Sequence, residues 1–593
     1  MRPSILRCFV ILLGVLALAP LSHAQWGSDP ATNSALADGA SDQTQSKLQP
    51  TADGGMYLSW FDGIGTGFDV RLQRVDADGN EVFAHNGVLV EDRSFSSTQD
   101  YGLGISANGN ALLAYRADSP LNGATVVAEA VHPDGTLGQM GGGSITLADT
   151  SDFVAAPKIA GTSDGGAVVA WIQNSSVRLQ KLDAQGVKQW VPDVVLTPAV
   201  GSYAVADLHA AGNDVILSFV HQTGGFGSPR QLRTQKFDAA GAALWGANHV
   251  DVFDSGSLQF GNFPSFVPDG SGGAVFSWYD TGSLALQCYV QRIDRTGAEL
   301  FAHNGVAVST NAARIRVSPH AAIDALSGNT IVSWVELSAN QAQTGVFTQK
   351  FDSAGNRLWG DAGVELVPVS ATQVGNVRTL TSADTSMTFW IEQQAFGNDR
   401  VHGVRVFADG QTTVGPFSVA TTASGKSRLA AASSAHGQSI LSWNDTRADA
   451  GDIYAQNVNC DGTLGPPSLS AAWTDLGNAL AGFSGDPALV GSGALCPGAP
   501  FSISLSNARP SSPLAIVLGL NLLAAPLKGG VLVPTPDKIF FNLSSDVGGG
   551  VALASHWPAS LPAGFELYVQ VWVTDAAAVL GFAASNGLRA SVP

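Results

Sequence analysis

Only a few side chains in this sequence have types and spacings that could do chemistry. Asp445, Arg447 and Asp452 fall in one predicted loop, where two carboxylates and a guanidinium could contact a ligand. A local ion pair that stabilises the loop is the alternative interpretation of these three residues. His85 and His303 each stand in the sequence Phe-Ala-His-Asn-Gly-Val, in distant repeats, and we interpret them as turn residues.

No motif predicts a catalytic residue, a metal site or a cofactor. Asp76–Glu81 begins like a calcium loop, but it lacks the third acidic position and the distant Glu that such a loop requires. The spacings of zinc sites and of a phosphate-binding loop, Cys-x-x-Cys, His-Glu-x-x-His and Gly-x-x-x-x-Gly-Lys-(Ser/Thr), do not occur. We therefore expect the catalytic, metal and cofactor sets to be empty.

The composition indicates a folded, acidic protein that does not bind nucleic acid. The 593 residues carry a net charge of −18, yet only 13% of them are charged and 45% are hydrophobic. The hydrophobic share argues against a disordered polyanion. Nucleic-acid binding, which depends on Lys and Arg neutralising phosphates, is disfavoured by the acidic excess.

Residues 1–24 have the three parts of a secretory signal peptide. Arg2 and Arg7 are basic, Cys8 to Leu18 form an apolar stretch, and Ser22-His23-Ala24 has the small-x-small pattern of a cleavage site. The apolar stretch is shorter than the roughly 20 residues that span a bilayer. The sequence predicts an extracellular or cell-surface protein, with the periplasm as a further compartment, and no transmembrane segment after removal of the signal.

The elements that position these residues repeat about every 55 positions. A segment of two Gly or Gly-Asn, apolar residues, a small residue and an aromatic recurs. Its aromatic position is occupied by Trp60, Tyr115, Trp171, Phe219, Trp278, Trp334, Trp390 and Trp443. We predict that these aromatics pack between units as core.

A second segment follows each first one and predicts a hairpin. An alternating strand leads into Asp-x-x-Gly or a variant of it, and in most copies an aromatic stands four residues after the Gly. The Gly is present in eight copies, at Gly79, Gly135, Gly186, Gly241, Gly297, Gly355, Gly410 and Gly462. Gly tolerates the positive φ that a hairpin turn needs, and Asp can accept hydrogen bonds from its own turn.

Four strands per unit and eight units predict an all-β fold, an eight-bladed β-propeller over residues 25–468. A single four-stranded unit cannot bury both of its faces, so the units must stack and close into a ring. Residues 25–37 imitate a fourth strand without preceding strands of their own. We predict that they pair with the last unit, near residues 453–470, and close the ring.

The last unit also carries a family resemblance. Residues 442–462, SWNDTRADAGDIYAQNVNCDG, resemble the Trp-x-Asp-x-Arg... Asp-Ile-Tyr-Ala-Gln repeats of secreted bacterial β-propeller-like proteins. The resemblance implies a surface or extracellular repeat protein. A non-enzymatic binding or adhesion protein for an unknown protein or glycan ligand is the function we favour. The alternative is a carbohydrate-active propeller, a glycoside hydrolase or lyase that uses loop carboxylates.

Residues 469–593 differ in character and predict a small C-terminal β-sandwich. Short apolar strands alternate with Pro and Gly, and the end resembles the C-terminal domain of planctomycete-type secreted proteins. That resemblance implies a second Cys after Gly530, where this chain has Val531. Of the three Cys left after signal removal, Cys288, Cys460 and Cys496, we favour a Cys460–Cys496 disulfide between the ring and this domain.

Overall fold

A computed structural model describes residues 26–592, apart from 66, 95–100, 120, 139–142, 283–285, 325–326, 383–384, 413–414, 467–471, 494, 497–498, 559–560 and 563. The predicted signal peptide, residues 1–24, lies outside the described residues. The regular structure is almost entirely β-strand, so the all-β prediction is confirmed.

Within these residues, positions 34–458 form eight four-stranded antiparallel sheets, which we number 1 to 8 along the chain. Sheets 1 and 2 consist of β2 (Gln43–Pro50), β3 (Met56–Asp62), β4 (Asp69–Val75) and β5 (Val88–Glu91), then β6 (Gly102–Ile105), β7 (Ala111–Ser119), β8 (Gly123–Val131) and β9 (Ile145–Thr150). Sheets 3 and 4 consist of β10 (Val154–Gly161), β11 (Ala167–Gln173), β12 (Ser176–Leu182) and β13 (Val194–Leu196), then β14 (Ser202–Ala211), β15 (Asp214–Gln222), β16 (Arg230–Phe237) and β17 (Val250–Phe253).

The second half of this region repeats the same order. Sheets 5 and 6 consist of β18 (Phe266–Pro268), β19 (Ala274–Asp280), β20 (Gln287–Ile293) and β21 (Val306–Ala307), then β22 (Arg314–Ile323), β23 (Thr330–Ser338), β24 (Thr344–Phe351) and β25 (Val364–Ser370). Sheets 7 and 8 consist of β26 (Gln373–Ser382), β27 (Thr385–Ala395), β28 (Asn398–Val406) and β29 (Phe417–Ser424), then β30 (Lys426–Ser433), β31 (Ser439–Asp445), β32 (Asp452–Val458) and β1 (Ser34–Ala37).

The first strands of neighbouring sheets contact one another in a closed cycle. The cycle runs through β2, β6, β10, β14, β18, β22, β26 and β30, and β30 contacts β2 again. Hydrophobic clusters fill the spaces between adjacent sheets, and the six Trp of the repeated aromatic position are almost completely buried within them. The prediction that these aromatics are core is confirmed, and the fold is β-propeller-like.

The first strand of the described chain belongs to the last sheet. β1 pairs antiparallel with β32, with Ser34 opposite Ala455 and Ala37 opposite Ile453. Trp26, just before it, packs on Gly79 of sheet 1, and its backbone amide donates to the carbonyl of Asp78 at 3.0 Å. The predicted pairing of the N-terminal segment with the last unit is therefore confirmed.

The hairpin between the third and fourth strands joins most sheets to the next. In sheet 4, the Oε1 atom of Gln235 accepts the backbone amide of Trp245 at 2.9 Å. The Trp245 indole in turn donates to the carbonyl of Arg295, in the hairpin of sheet 5, at 3.1 Å. The ring lies directly on Gly297, which has a φ of 89° and leaves no room for a Cβ atom. Repetition of this contact explains the repeated Gln, Gly and aromatic.

Residues 473–591 form three further sheets. Their strands are β33 (Trp473–Asp475), β34 (Ala488–Ser492), β35 (Pro500–Ser506), β36 (Pro513–Gly519), β37 (Leu522–Leu527), β38 (Gly530–Pro534), β39 (Lys538–Ser544), β40 (Val551–His556), β41 (Glu566–Thr574), β42 (Phe582–Ala584) and β43 (Leu588–Ser591). The largest sheet has the order β33-β43-β41-β36-β39 with β42 on β41, a second has β34-β35-β40, and β37 pairs with β38. One hydrophobic cluster contains residues of both larger sheets, among them Leu505 and Val571.

A disulfide links these C-terminal sheets to the hairpin that follows β32. The structure bonds Cys460 to Cys496, and both residues are buried beside Ala499. Cys288, on β20, is buried as a free thiol.

Candidate functional site

The most unusual set of side chains lies where the eight first strands converge. Most first strands contain a bulge, as between Thr44 and Lys47 or between Gly375 and Arg378. The residue after the bulge pairs with the residue just before the buried aromatic of the second strand, as Lys47 pairs with Ser59. The eight equivalent positions are Lys47, Gly102, Lys158, Asp207, Ser265, His320, Arg378 and Ala430. We call these the axial positions.

Three cavities meet at the axial positions. One of about 420 Å³ is lined by β2, β6, β10, β14, β26 and β30, and therefore draws on sheets from opposite parts of the chain. A second of about 680 Å³ shares His209 and Ala431 with the first. A third of about 490 Å³ shares Arg378 with the first and His320 with the second. The first of these cavities is itself lined by Lys47, Lys158, Asp207 and Arg378.

Asp207 and His209 form an ion pair in this space. His209 Nε2 lies 3.0 Å from Asp207 Oδ2, and the backbone amide of Leu208 donates to Asp207 Oδ1 at 2.9 Å. Burial opposes ionisation of both groups, but their attraction outweighs it: the pKa of Asp207 is lowered, with help from Lys158, and the pKa of His209 is raised. The His209 ring also packs edge-on against Phe266 at 4.7 Å.

Two basic side chains, His320 and Arg378, lie beside each other, and the charge of Arg378 disfavours protonation of His320. Burial lowers the pKa of His320 to about 3, the charge of Arg378 adds to this effect, and the backbone amide of Thr379 donates to His320 Nδ1 at 3.2 Å. Burial also lowers the pKa of Arg378 to about 10, so the guanidinium stays charged at neutral pH. Its Nη1 donates to the carbonyl of Val377 at 2.8 Å, and no described carboxylate forms a salt bridge with it.

The axial positions are thus rich in positive charge within an acidic protein. Lys47, Lys158 and Arg378 stand against one carboxylate, that of Asp207, although the chain as a whole carries −18. Lys47 lies 5.0 Å from the centre of the Tyr101 ring, a cation–π distance. A cationic cluster inside a concave, partly desolvated space is suited to hold an anion, because charges interact more strongly there than in water.

Of the three residues predicted as loop candidates, Asp445 and Asp452 are buried at the ends of two paired strands, and Arg447 lies half-buried in the turn between them. Asp445 ends β31 and Asp452 begins β32, and the two pair in register, so neither is a loop residue. Asp445 Oδ2 lies 2.7 Å from Arg447 Nη2 and 3.5 Å from Lys426 Nζ. Arg447 also donates to Asn33 Oδ1 at 3.2 Å, which ties the ion pair to the N-terminal segment. This geometry matches the ion-pair interpretation of Asp445 and Arg447.

Asp452 has a different environment from Asp445. Both of its carboxylate oxygens are buried, and neither accepts a hydrogen bond from a donor in the described part of the chain. Burial, reinforced by the nearby carboxyl groups of Asp449 and Asp38, raises the pKa of Asp452 to about 7. In sheet 1 the equivalent residue, Asp69, accepts the backbone amide of Arg93 at 3.0 Å.

The remaining candidates, His85, His303 and Asp76, make contacts that stabilise the local structure. His85 lies between Glu81 of its own hairpin and Asp38, which follows β1, and His303 lies between Glu299 of its own hairpin and Asp254, which follows β17. Asp76 caps its own turn by accepting the amides of Asp78 and Asn80.

One match to a catalytic motif was overlooked in the sequence. Residues 161–165 read Gly-Thr-Ser-Asp-Gly, the spacing of a nucleophile elbow. They form the turn between β10 and β11, whereas a nucleophile elbow connects a strand to a helix. Ser163 Oγ donates to Asn213 at 2.6 Å rather than to a His. Among the described residues, no three His, Cys, Asp or Glu side chains are grouped to hold a metal, and no helix is long and apolar enough to cross a bilayer.

The axial positions were missed from the sequence although a signal was present. They stand 12 to 14 residues before the repeated aromatic, outside both segments that define the repeat. Five of the eight are ionisable in a chain with few charges. Alignment of the repeats on their aromatics, followed by a search for the column that varies, would have drawn attention to them.

Comparisons with known proteins show only low similarity. No family model and no curated protein matches the chain. Among solved structures, an ulvan lyase is 10% identical over 74% of this chain and 97% of its own, with a TM-score of 0.38. The polysaccharide lyase Uly1 is 11% identical over 73% and 92%, with a TM-score of 0.36. Prolyl oligopeptidase B from Galerina marginata is 12% identical over 68% and 55%, with a TM-score of 0.38.

Proposed function

We propose that this protein is an exported, eight-bladed β-propeller with a C-terminal β-sandwich, and that it binds an anionic ligand at the axial positions without chemical turnover. The single observation that carries the binding proposal is the gathering of Lys47, Lys158 and Arg378 around one cavity, that of about 420 Å³, in an acidic molecule. The proposal includes membership in the secreted bacterial propeller-like repeat proteins that the sequence of the last unit resembles.

The blade count is supported by two observations. Eight four-stranded sheets occur in the described residues, and their first strands contact one another in a closed cycle. The proposal of a sandwich is supported by the hydrophobic cluster that β34-β35-β40 shares with the larger C-terminal sheet.

Binding without turnover is favoured over a carbohydrate-active enzyme by the positions of the carboxylates. Hydrolysis of a glycosidic bond ordinarily needs two carboxyl groups that face each other across the substrate. Asp445 and Asp452, the carboxylates among the predicted ligand contacts, are buried at strand ends, and Asp207 is engaged by His209. Release of reducing ends from a polysaccharide by the purified protein would instead support the enzymatic alternative.

The binding proposal can be tested by calorimetric titration with citrate, a small anion with three carboxylates. The test variant combines Lys47→Gln, Lys158→Gln and Arg378→Gln. The control removes the same charge from exposed positions, as Lys528→Gln, Lys538→Gln and Arg295→Gln. We expect citrate to bind the wild type and the control with equal affinity and the axial variant at least tenfold more weakly. Equal affinity for all three proteins, or no binding to any, would overturn the proposal.

Export is tested separately, because it depends on residues 1–24 and not on the site. We expect the protein expressed with its own N-terminus in a bacterial host to leave the cytoplasm and to begin at Gln25, as measured by N-terminal sequencing of the exported fraction. Retention of an uncleaved chain in the cytoplasm would contradict this part of the proposal.

A further inference from the structure

The inner edge of sheet 5 is incomplete, and a loop takes its place. β18 has three residues, whereas the first strands of sheets 4, 6 and 7 have ten each. The connection from β17 to β18, residues 254–265, is correspondingly long and leaves the β-sheet ladder apart from one bridge between Leu258 and Asp280. An opening between sheets 5 and 6 results, and it is the cavity of about 490 Å³ that contains Arg378 and His320.

This loop presents phenyl groups to solvent. Phe260 is 71% exposed and Phe263 is 42% exposed, although a folded protein gains by burying such side chains. Both rings line the cavity. A third ring, that of Phe226, is 89% exposed and packs edge-on against Phe260 at 5.5 Å. A contiguous exposed aromatic surface at the mouth of a cavity marks a binding site.

The two phenyl groups pack on the buried side chain of Arg230. The Arg230 guanidinium lies 5.3 Å from the centre of the Phe260 ring and 5.0 Å from that of Phe263. Arg230 is itself only 7% exposed, and its Nη1 donates to the carbonyl of Gln259 at 3.1 Å. The rings therefore rest on a buried support, and their outer faces stay available.

We propose that this opening binds an acidic saccharide, whose sugar ring lies on the faces of Phe260 and Phe263 and whose carboxylate or sulfate reaches Arg378. The inference rests on the proposed function and names the ligand class for the same site. A guanidinium matches a carboxylate or a sulfate through parallel hydrogen bonds. The apolar C–H face of a sugar ring matches a phenyl face, and both lose contact with water when they meet.

The rest of the lining favours a saccharide over an aromatic acid. Gln259, Asn262, Ser265 and Ser277 contribute amide and hydroxyl groups to the same cavity. Tyr279 adds a phenolic hydroxyl that hydrogen-bonds to Gln259. Such groups can exchange their hydrogen bonds with water for hydrogen bonds with sugar hydroxyls, whereas an aromatic acid would leave most of them without a partner.

The test is calorimetric titration of the mature protein with four probes. Tetragalacturonate supplies sugar rings with carboxylates, and its fully methyl-esterified form supplies the same rings without charge. A sulfated carrageenan tetrasaccharide supplies sulfates in place of carboxylates, and citrate supplies charge without a ring. We expect one of the two acidic saccharides to bind most tightly, which identifies the anionic group, and the methyl ester to bind at least tenfold more weakly than tetragalacturonate if the carboxylate is that group.

Three variants separate the parts of the site. We expect the double variant Phe260→Ala, Phe263→Ala to lose at least tenfold in affinity for the acidic saccharide while its affinity for citrate is unchanged. Arg378→Gln should lose affinity for both probes, and Arg378→Lys should recover part of it. The matched control is Phe483→Ala, since Phe483 is an exposed phenyl in the C-terminal sheets whose ring lies 5.8 Å from the Arg509 guanidinium.

The outcomes distinguish this inference from the proposed function. Full saccharide affinity in the double Phe variant, or a loss equal to that of Phe483→Ala, would overturn the saccharide inference. Binding of citrate that depends on Arg378, without binding of either acidic saccharide, would also overturn it but leave the axial anion site standing. If none of the four probes binds, both the saccharide inference and the proposed axial anion site are overturned.

Discussion

The hairpin side of the sheets and the axial positions are built from the same repeat, yet they differ in how closely the repeat is kept. Each hairpin Gly has a positive φ, and in most sheets it lies against an aromatic that belongs to the preceding sheet or, for Gly79, to the N-terminal segment. The axial positions instead hold Lys, Gly, Lys, Asp, Ser, His, Arg and Ala. The contact between neighbouring sheets has similar geometry around the cycle, so a hairpin Gly and an aromatic recur there.

An axial position has no such repeated neighbour. It lines one of the cavities within the cycle of first strands, where eight copies of one bulky or charged residue would crowd or repel one another. Variation at these positions is therefore tolerated by the fold, and it allows the ring to present an asymmetric set of charges to one ligand. Residues of the hairpins connect neighbouring sheets, whereas the axial residues are those proposed to bind the ligand. Substitutions in each group test this difference.

The largest expected effect comes from the hairpin side. Trp245→Ala removes a buried ring that bridges sheets 4 and 5, and we expect it to lower the free energy of unfolding by about 3–5 kcal/mol. Denaturant titration measures this loss. Phe226→Ala, at an exposed position, is the control and is expected to change the value by less than about 0.5 kcal/mol. Citrate affinity of folded Trp245→Ala should equal that of the wild type; a large loss of affinity would break the comparison.

The next largest effect is expected at an axial position, where a substitution should reduce citrate affinity but leave stability nearly unchanged. Arg378→Gln is expected to weaken citrate binding about tenfold, or about 1.4 kcal/mol, because it removes a desolvated cation from the site. Its free energy of unfolding should change by less than about 1 kcal/mol, because no salt bridge with a described carboxylate is lost. Calorimetry and denaturant titration on the same sample measure both. A stability loss comparable to that of Trp245→Ala would show that Arg378 is structural.

A smaller effect is expected where the ring closes. The pKa of Asp452 is raised to about 7, so its ionisation disfavours the folded state, and stability should fall as pH rises from about 4 through 7. Asp452→Asn removes this cost and is expected to raise the free energy of unfolding at pH 8 by about 1 kcal/mol, with no gain at pH 4. The matched variant Asp69→Asn should be destabilising at pH 8, because a carboxylate accepts the Arg93 amide better than an amide oxygen does. Equal behaviour of the two variants would contradict this.

The smallest effect is a pH dependence of binding. The pKa of His209 is raised by Asp207, so His209 gains a proton as pH falls through a value above the usual 6.5 or so and adds a positive charge to the axial space. We expect citrate affinity per fully ionised citrate to rise by about threefold over that range, and His209→Gln to abolish the rise. His85→Gln should retain it, since His85 titrates in the hairpin of sheet 1. Loss of the pH dependence in both variants would argue against an axial origin.

Sequence reasoning reached the all-β fold, the repeats and the ring-closing strand, because each depends on patterns that local structure imposes. Gly at positive φ and a buried aromatic leave a periodic record, and so does the Trp26 segment that imitates a fourth strand. The axial site leaves none, because a bulge in most first strands shifts the register, and the closed cycle of strands brings Arg378 and Lys47, distant in the sequence, to one cavity. The predicted loop position of Asp452 is wrong, because the sequence does not show how far β31 and β32 extend.

The pairing of β1 with β32 joins strands that lie far apart in the sequence, and this separation affects folding. The contact from Asn33 to Gln456 spans 423 residues, so the strand synthesised early waits for a partner synthesised much later. Closing so long a loop costs little more entropy than closing a shorter one, but contacts this distant in sequence form slowly. A product truncated before β32 would carry β1 as an unpaired strand and sheet 1 without its neighbour. Such an incomplete chain would expose unpaired strand edges, which promote aggregation.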